Sequence, residues 1–501
     1  MGSTSNKSRY ILALDLGTTG NRAILFDQQG AIAGQAYKEL TQHYPQPGWL
    51  EHNAEEIWQD TCTCMQQVVK DAGIAASQIV ALGLTVQRET CLLWDKTTGK
   101  PLYNAIVWQD RRTAAMCHQL SQQGYAPKIQ ELTGLVLDAY FSATKLSWLL
   151  NLIKRDRPEV NLDNVLAGTI DTWILWNLTG GKVHATDHSN ASRTMLMNLV
   201  SREWERSLLD LFGIPAALMP QIRPSMGLFG MTDPQLLGVA IPITAVFGDQ
   251  QAALLAHGCD RPGMVKCTYG TGCFLIAQMG RVTRSHNQLL STVAWTSATE
   301  VSYALEGAIF TTGASIQWLR DGLKLIASAS ETELLARQVS DTNGVYFVPA
   351  LSGLGAPHWD MSARGAFLGI TGGVQREHMV RAVLEAIAYQ VKEVVDAMNQ
   401  DCNTPIKSLK VDGGVSQNDF LMQFQADALG IAIERLAIPD ATALGAAFGA
   451  GLAAGFWDNY DNLSQGCKTN RIFEPGSGAA PARENFAMWS KAVQRAKNWS
   501  E

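Results

Sequence analysis

Three short stretches of this chain set a carboxylate beside glycine at the end of an apolar run. They are Asp15-Leu16-Gly17-Thr18-Thr19 after Tyr10–Leu14, Gly248-Asp249-Gln250 after Ile243–Phe247, and Asp412-Gly413-Gly414 after Leu409–Val411. One such pair is an ordinary turn. Three of them, each closing a candidate buried strand, point to chemistry at strand ends. Gly17-Thr18-Thr19-Gly20 and Tyr269-Gly270-Thr271-Gly272 also lie between two apolar runs, as hairpin tips do. Glycines and hydroxyls in such tips bring N–H and O–H groups to an anion with no bulky side chain in the way. No Walker A pattern is present. Two hairpins of this type could clasp a triphosphate. Asp15 could hold a hydrated Mg²⁺ beside it, and the bare Gly413-Gly414 pair could let a flat base lie on the backbone. Phosphoryl transfer then needs only a base for the acceptor hydroxyl, and Asp249 is the candidate.

An acceptor pocket calls for charged groups that hydrogen-bond hydroxyls. Arg88-Glu89, adjacent after the apolar run Ile79–Thr85, fits that need. A structural ion pair would have the same spacing. Trp108 and Tyr140 could be apolar walls or plain core.

The elements that must carry these residues alternate between strand-like and helix-like throughout, which predicts an α/β architecture. The pattern predicts helices over Ile57–Ala72, Lys145–Ile153 and Thr442–Gly455. It predicts strands over Ile79–Thr85, Cys91–Trp94, Val265–Thr268 and Phe274–Gln278. Gln109-Asp110-Arg111-Arg112 is expected to open a helix. Near residue 245 the pattern restarts, so two similar halves are expected, with a boundary near residues 250–260.

Composition narrows the classes. At 501 residues the chain is long enough for two or more domains. A net charge of −6 gives no hint of a nucleic-acid partner. No apolar run reaches the roughly 18 residues of a membrane span. The start, M-G-S-T-S-N-K-S-R, lacks the apolar region of a signal peptide, and Asn6 breaks the myristoylation pattern. Nine cysteines without a regular framework read as reduced thiols of a cytoplasmic protein. Neither Cys62-x-Cys64 nor Cys267 with Cys273 has a zinc spacing. His184-x-x-x-His188 has a helical metal spacing, but Gly180-Gly181 and Asn190 around it suggest strand and loop.

With these residues in place, the chain resembles the FGGY family of carbohydrate kinases from about Tyr10 to Trp489. One family signature stands as Gly365-Ala-Phe-Leu-Gly369-Ile370, followed by His378-Met379 and Ala382-Val383-Leu384-Glu385. A second is approximate around Ser142, Lys145 and Trp148. Motifs similar to those of glycerol-phosphorylating members are Gln87-Arg88-Glu89-Thr90, Val107–Arg112, Asn190-Ala-Ser-Arg-Thr-Met195 and Gly313–Leu319. The resemblance implies an α/β fold of two actin-like (ribonuclease-H-like) ATPase domains with an interdomain cleft, divided as 9–256 and 257–501. It implies ATP-dependent, Mg²⁺-assisted phosphorylation of glycerol to sn-glycerol 3-phosphate. Glycerol would be bound by Arg88, Glu89, Trp108, Tyr140, Asp249, Gln250 and Phe274. Asp249 would be the general base. Thr18, Thr19, Arg22 and Thr271 would contact phosphates, and Gly313, Gln317, Gly414 and Asn418 the nucleotide. Asp15, through water, and Asp249 would face the metal. A cytoplasmic homodimer or homotetramer is implied.

Departures from the pattern carry expectations of their own. Glycerol-phosphorylating members usually read D-Q-G-T-T-S-S-R where this chain has Leu16, Gly20 and Asn21 at the altered positions, and Val86 replaces a usual Asn. Altered phosphate contacts are therefore expected. Arg223–Thr232 lacks the basic segment that binds fructose 1,6-bisphosphate in some members, and no histidine lies between His188 and His257 for phosphorylation. Two other readings stay open: an FGGY kinase for another polyol or a small ketose, and a non-kinase actin-like ATPase.

Overall fold

The structure is a computed structural model describing residues 8–402, 404–437, 440–460, 463 and 469–500. Residues 1–7, on which the signal-peptide and myristoylation readings fall, lie outside the described residues. The chain divides into two compact units: one of Met1–Gly258, Ser291–Tyr303 and Asp440–Gly466, the other of Cys259–Leu290, Ala304–Pro439 and Cys467–Glu501.

In the first unit a six-stranded sheet runs in the order Met226–Met231, Pro242–Gly248, Ile79–Val86, Tyr10–Leu16, Gly20–Phe26, Ile32–Glu39. Its central strands are apolar on both faces, as strands covered on both sides must be. Tyr10–Leu16 pairs antiparallel with Gly20–Phe26 and parallel with Ile79–Val86, which in turn pairs parallel with Pro242–Gly248. The register puts Leu16, Val86 and Gly248 side by side, so three strands end at one level. The carboxyl ends of parallel strands are where open α/β sheets bind ligands.

The helix Ala441–Ala453 packs against this sheet and against the helix Asp249–Ala256. Its run of Ala and Gly allows very close approach. A Cβ on Gly83 would lie 2.2 Å from the Ala446 carbonyl oxygen, and one on Gly445 would lie 1.8 Å from that of Ala252. The predicted helices extend over Ala54–Asp71, Ser142–Asp156 and Ala441–Ala453.

One expectation fails. Gln109–Arg112 does not open a helix, and the next helix starts at Ala114. Asp110 instead accepts the Leu50 N–H at 2.6 Å and pairs with Arg112 at 2.8 Å, while Arg112 also reaches Glu51 at 2.8 Å. The Arg112 guanidinium lies 3.8 Å from the Trp49 ring centre and 4.6 Å from that of Trp148. These charges form a buried tertiary clamp, which overrides a local helix start.

In the second unit the strands run in the order Cys273–Gln278, Val265–Tyr269, Ser408–Asp412, Ala432–Leu436, Thr469–Phe473, with the residues of Val301–Ile309 from Ala304 on beside Cys273–Gln278. Val265–Tyr269 pairs antiparallel with Cys273–Gln278 and parallel with Ser408–Asp412. The first unit arranges Tyr10–Leu16 between its hairpin partner and its parallel neighbour in the same way. The core of this unit includes the 26-residue helix Arg376–Asp401.

Candidate functional site

Asp249 is the first residue of a helix that begins where a buried strand stops at Gly248. Its Oδ1 lies 3.1 Å from Arg88 Nε and accepts the Gln250 N–H at 2.7 Å, and its Oδ2 accepts from Gln250 Nε2 at 3.1 Å. Arg88 follows the neighbouring strand, is 3 % exposed, and also donates to Gln251 Oε1 at 3.3 Å. Gly248 is required here, because a Cβ would lie 2.6 Å from Arg88 Cδ. Arg88 and Glu89 are buried side by side at 4.0 Å, but each has a nearer partner of opposite charge. For Arg88 that is Asp249. For Glu89 it is Arg193, whose Nε is 2.7 Å from Glu89 Oε1. Glu89 is held in the left-handed region at φ 62°, a conformation that needs enforcement in a non-glycine residue.

The aromatic rings complete this cluster. Trp108 meets Tyr140 edge-on, with ring centres 5.6 Å apart. Its indole N–H donates to Thr18 Oγ1 at 2.9 Å, so a residue expected at the acceptor touches the first hairpin directly. Tyr140 is fixed from behind by Lys145, whose ammonium caps the carbonyls of Ala139, Tyr140 and Phe141. Burial lowers the Lys145 pKa to about 8.

Asp15 ends its strand opposite Arg22 in the hairpin register. Its Oδ2 accepts from Thr442 Oγ1 at 2.6 Å and lies 3.8 Å from Arg22 Nη1. Arg22 bonds Asp440 more closely, at 2.8 Å. Burial raises the Asp15 pKa to about 6, against the pull of Thr442 and Arg22, and the charge of Asp249 adds to the rise. Thr18 is half-buried and Thr19 exposed at the hairpin tip. Gln42 Nε2 holds the Thr18 carbonyl at 2.9 Å and is itself held through Oε1 by His52 at 2.9 Å.

The second unit has a cavity of about 460 Å³. All five residues expected at the nucleotide or its terminal phosphate in this unit line it: Thr271, Gly313, Gln317, Gly414 and Asn418. Gly313 packs against the hairpin tip, where a Cβ would lie 2.6 Å from the Gly270 carbonyl oxygen. Gly413 has φ 92° and no room for a side chain, since a Cβ would lie 2.3 Å from the Tyr269 oxygen. Gly414 has open space in front of it and gives the cavity a flat backbone wall. Asn418 caps the following helix through Oδ1 and donates from Nδ2 to Thr332 Oγ1 at 3.1 Å. Arg320, Thr332 and Glu333 also line the cavity. Their signal in the sequence is weak, because they come from two short helical segments, Trp318–Gly322 and Glu331–Ala336, too brief to show a period. Phe274 stands in this unit on the strand after the Thr271 turn, across from Thr268. Asp412 ends the strand parallel to that hairpin, opposite Thr268.

His184 Nε2 is on the Ala167 carbonyl and His188 Nδ1 on Thr296, each at 2.9 Å. Of the strand and loop expected over His184–His188, the strand is present as Ala185–Asp187, but His188 opens the helical turn His188–Ala191 that Asp187 caps. Among the described residues no group of three or more His, Cys, Asp or Glu could hold a metal. A magnesium ion brought in by a triphosphate needs less. It keeps most of its water and takes one or two carboxylates, and a buried, partly neutralised carboxyl such as Asp15 fits that limited demand.

Comparison with known proteins gives this geometry a context. The N-terminal domain of the FGGY family of carbohydrate kinases matches residues 10–256, and the C-terminal domain of that family matches residues 265–454. The chain belongs to this family. It is 70% identical over 495 residues to a glycerol kinase of Rippkaea orientalis, covering 99% of each chain. It is 68% identical to a glycerol kinase of Trichodesmium erythraeum, again over 99% of each. Among solved structures it is similar to Plasmodium falciparum glycerol kinase with ADP, with a TM-score of 0.90, 34% identity and 98% of both chains covered. The fold is accordingly that of the FGGY kinases, two α/β domains of the actin-like (ribonuclease-H-like) kind.

Proposed function

We propose that this chain transfers the terminal phosphoryl group of ATP to glycerol, giving sn-glycerol 3-phosphate and ADP. The observation that carries the reading is the cluster of buried Arg88 and Glu89 with half-buried Asp249, beside Trp108 and Tyr140. Glycerol is uncharged, so its affinity rests on hydrogen bonds, and charged partners give the strongest ones. Arg88, Glu89 and Gln250 bind the hydroxyls, and Trp108, Tyr140 and Phe274 pack the carbons. Such a cluster rejects analogues that leave its polar groups unpaired. Asp249 takes the proton of the attacking hydroxyl through its carboxylate. Arg88 orients that carboxylate, and Gln250 holds both of its oxygens.

Thr18, Thr19, Arg22 and Thr271 hold the phosphates, and Gly313, Gln317, Gly414 and Asn418 the nucleoside. Magnesium would be held by Asp15 through water and would face Asp249, where it neutralises charge on the phosphates when bound. On this reading residues 9–256 carry the glycerol pocket and the first phosphate hairpin, and 257–501 bind the nucleotide. Two features bear on setting. Among the described residues no helix is long and apolar enough to cross a membrane. The described cysteines are free thiols, including Cys267 and Cys273 with sulfurs 3.0 Å apart, which suits a reducing cytoplasm. Exposed Leu228 and Met231 on the sheet-edge strand Met226–Met231 suit assembly as a homodimer or homotetramer.

The test is ADP release with glycerol beside a panel of tetritols and pentuloses. Glycerol should be the preferred acceptor, and a pentulose or tetritol turning over while glycerol stays at background sinks the proposal. Asp249→Asn should lower kcat by about 10²–10⁴-fold with nucleotide binding intact, and a near-normal kcat removes Asp249 from the base role.

A further inference from the structure

Arg193 lies outside every role assigned above, yet it is fully buried and bound to the acceptor cluster. Its Nε holds Glu89 Oε1 at 2.7 Å. Its guanidinium carbon lies 5.6 Å from the Tyr140 ring centre and 5.3 Å from that of Phe141, within cation–π range. One side chain thus braces both the carboxylate and the aromatic wall.

The segment that carries Arg193 is itself fixed. Asp187 caps the turn His188–Ala191, accepting from the N–H groups of Ser189 and Asn190 and from Ser225 Oγ. The Arg193 N–H then closes on the Asn190 carbonyl at 2.9 Å. Ser189 Oγ, on the same turn, accepts the Gly248 N–H at 2.9 Å, one residue before Asp249. The Asn190–Met195 motif therefore stands behind Glu89 and next to the strand end that delivers Asp249.

We propose that Arg193 is a positioning residue for the phosphoryl acceptor. It fixes the Glu89 carboxylate, against that residue's left-handed backbone, so that an acceptor with a full set of hydroxyls is favoured over one lacking a hydroxyl. The inference rests on the glycerol reading. Lysine would keep the charge but lose the planar fork and the ring contacts.

The experiment compares wild type with Arg193→Lys, using glycerol and propane-1,2-diol as acceptors at saturating ATP. In the variant the glycerol KM should rise at least tenfold, and the ATP KM should change less than twofold. The glycerol-to-diol ratio of kcat/KM should fall about tenfold. A purely structural role would lower both acceptors alike, so a ratio within threefold of wild type overturns the proposal. Should Arg193→Lys fail to fold, Glu89→Gln is compared with Glu89→Gln/Arg193→Met, in which no lone charge is buried. Equal ratios in that pair support action through Glu89, and a further tenfold fall overturns it. Wild-type protein inactive on glycerol would sink the functional reading itself, whereas active wild type with an unmoved ratio sinks only the role of Arg193.

Discussion

Replacing Gly248 by alanine tests the acceptor cluster through a single methyl group. Gly248 has φ −70° and ψ 147°, ordinary extended backbone that alanine adopts freely. The substitution therefore strains no dihedral and, by stiffening the unfolded chain, contributes about 0.4–1 kcal/mol of stability. The cost is steric. The new Cβ would lie 2.6 Å from Arg88 Cδ, 2.7 Å from Cγ and 2.8 Å from Gln251 Oε1, where ordinary contact begins at 3.4 Å. The Arg88 stem must retreat by about 0.8 Å (3.4 minus 2.6), and it is buried on all sides. That movement breaks or lengthens the 3.1 Å contact to Asp249. A hydrogen bond to a charged group is worth about 1.5–3 kcal/mol, and each 1.36 kcal/mol is tenfold. The kcat/KM for glycerol should therefore fall by about 10- to 150-fold, and the melting temperature should fall as well, since the lost contact outweighs the stiffening. A coupled ADP-release assay measures the first and calorimetry the second, while titration with ADP checks the cavity of the second unit. A kcat/KM within threefold of wild type would refute the reasoning, since Arg88 would then be free to move without consequence.

Thr442→Val removes the hydroxyl that steadies the Asp15 anion. On the proposed reading, in which Asp15 holds the magnesium through water, a proton on Asp15 weakens that hold, so the rate should fall as pH drops through about 6. The variant should shift that limb to higher pH, and an unmoved limb would detach Asp15 from the profile. Gly445→Ala forces a methyl onto the Ala252 carbonyl and should destabilise the protein toward the upper end of about 1–3 kcal/mol; an unchanged denaturation midpoint would contradict this packing. Leu16→Gln buries an amide among apolar side chains and should cost about 1–3 kcal/mol. Adding Val86→Asn should recover part of that loss, and strict additivity would deny their contact.

The strands and hairpins were legible because their apolar runs have no other use than burial. Asp15, Asp249 and Asp412 were legible as strand-end acids for the same reason. What sequence could not supply was pairing between distant segments. Arg88 and Glu89 read either as pocket residues or as an ion pair with each other; the structure leaves them 4.0 Å apart and gives Arg88 a nearer partner in Asp249 and Glu89 one in Arg193, 104 positions later. Gln109–Arg112 read as a helix start because propensity is local, while its charges are satisfied by Leu50 and Glu51 far upstream. Arg320 and Thr332 became cavity residues only through folding, since nothing in their spacing sets them apart.

The altered residues of the first hairpin show how the structure revises a reading of motifs. Leu16 and Val86 face each other in the parallel register, and both belong to the buried core of the first unit. Two departures that look independent in sequence are thus one packing change, apolar for polar on both sides of a strand pair. Gly20 has a similar cause. A Cβ there would lie 2.4 Å from the Tyr37 ring, and that ring's hydroxyl donates to the Thr19 carbonyl at 3.3 Å. Asn21 points away from the tip and ties the strand to the Ile57 carbonyl at 3.3 Å. The residues with polar side chains not fully buried at the loop, Thr18, Thr19 and Arg22, are the ones kept. These substitutions therefore alter what supports the loop from behind.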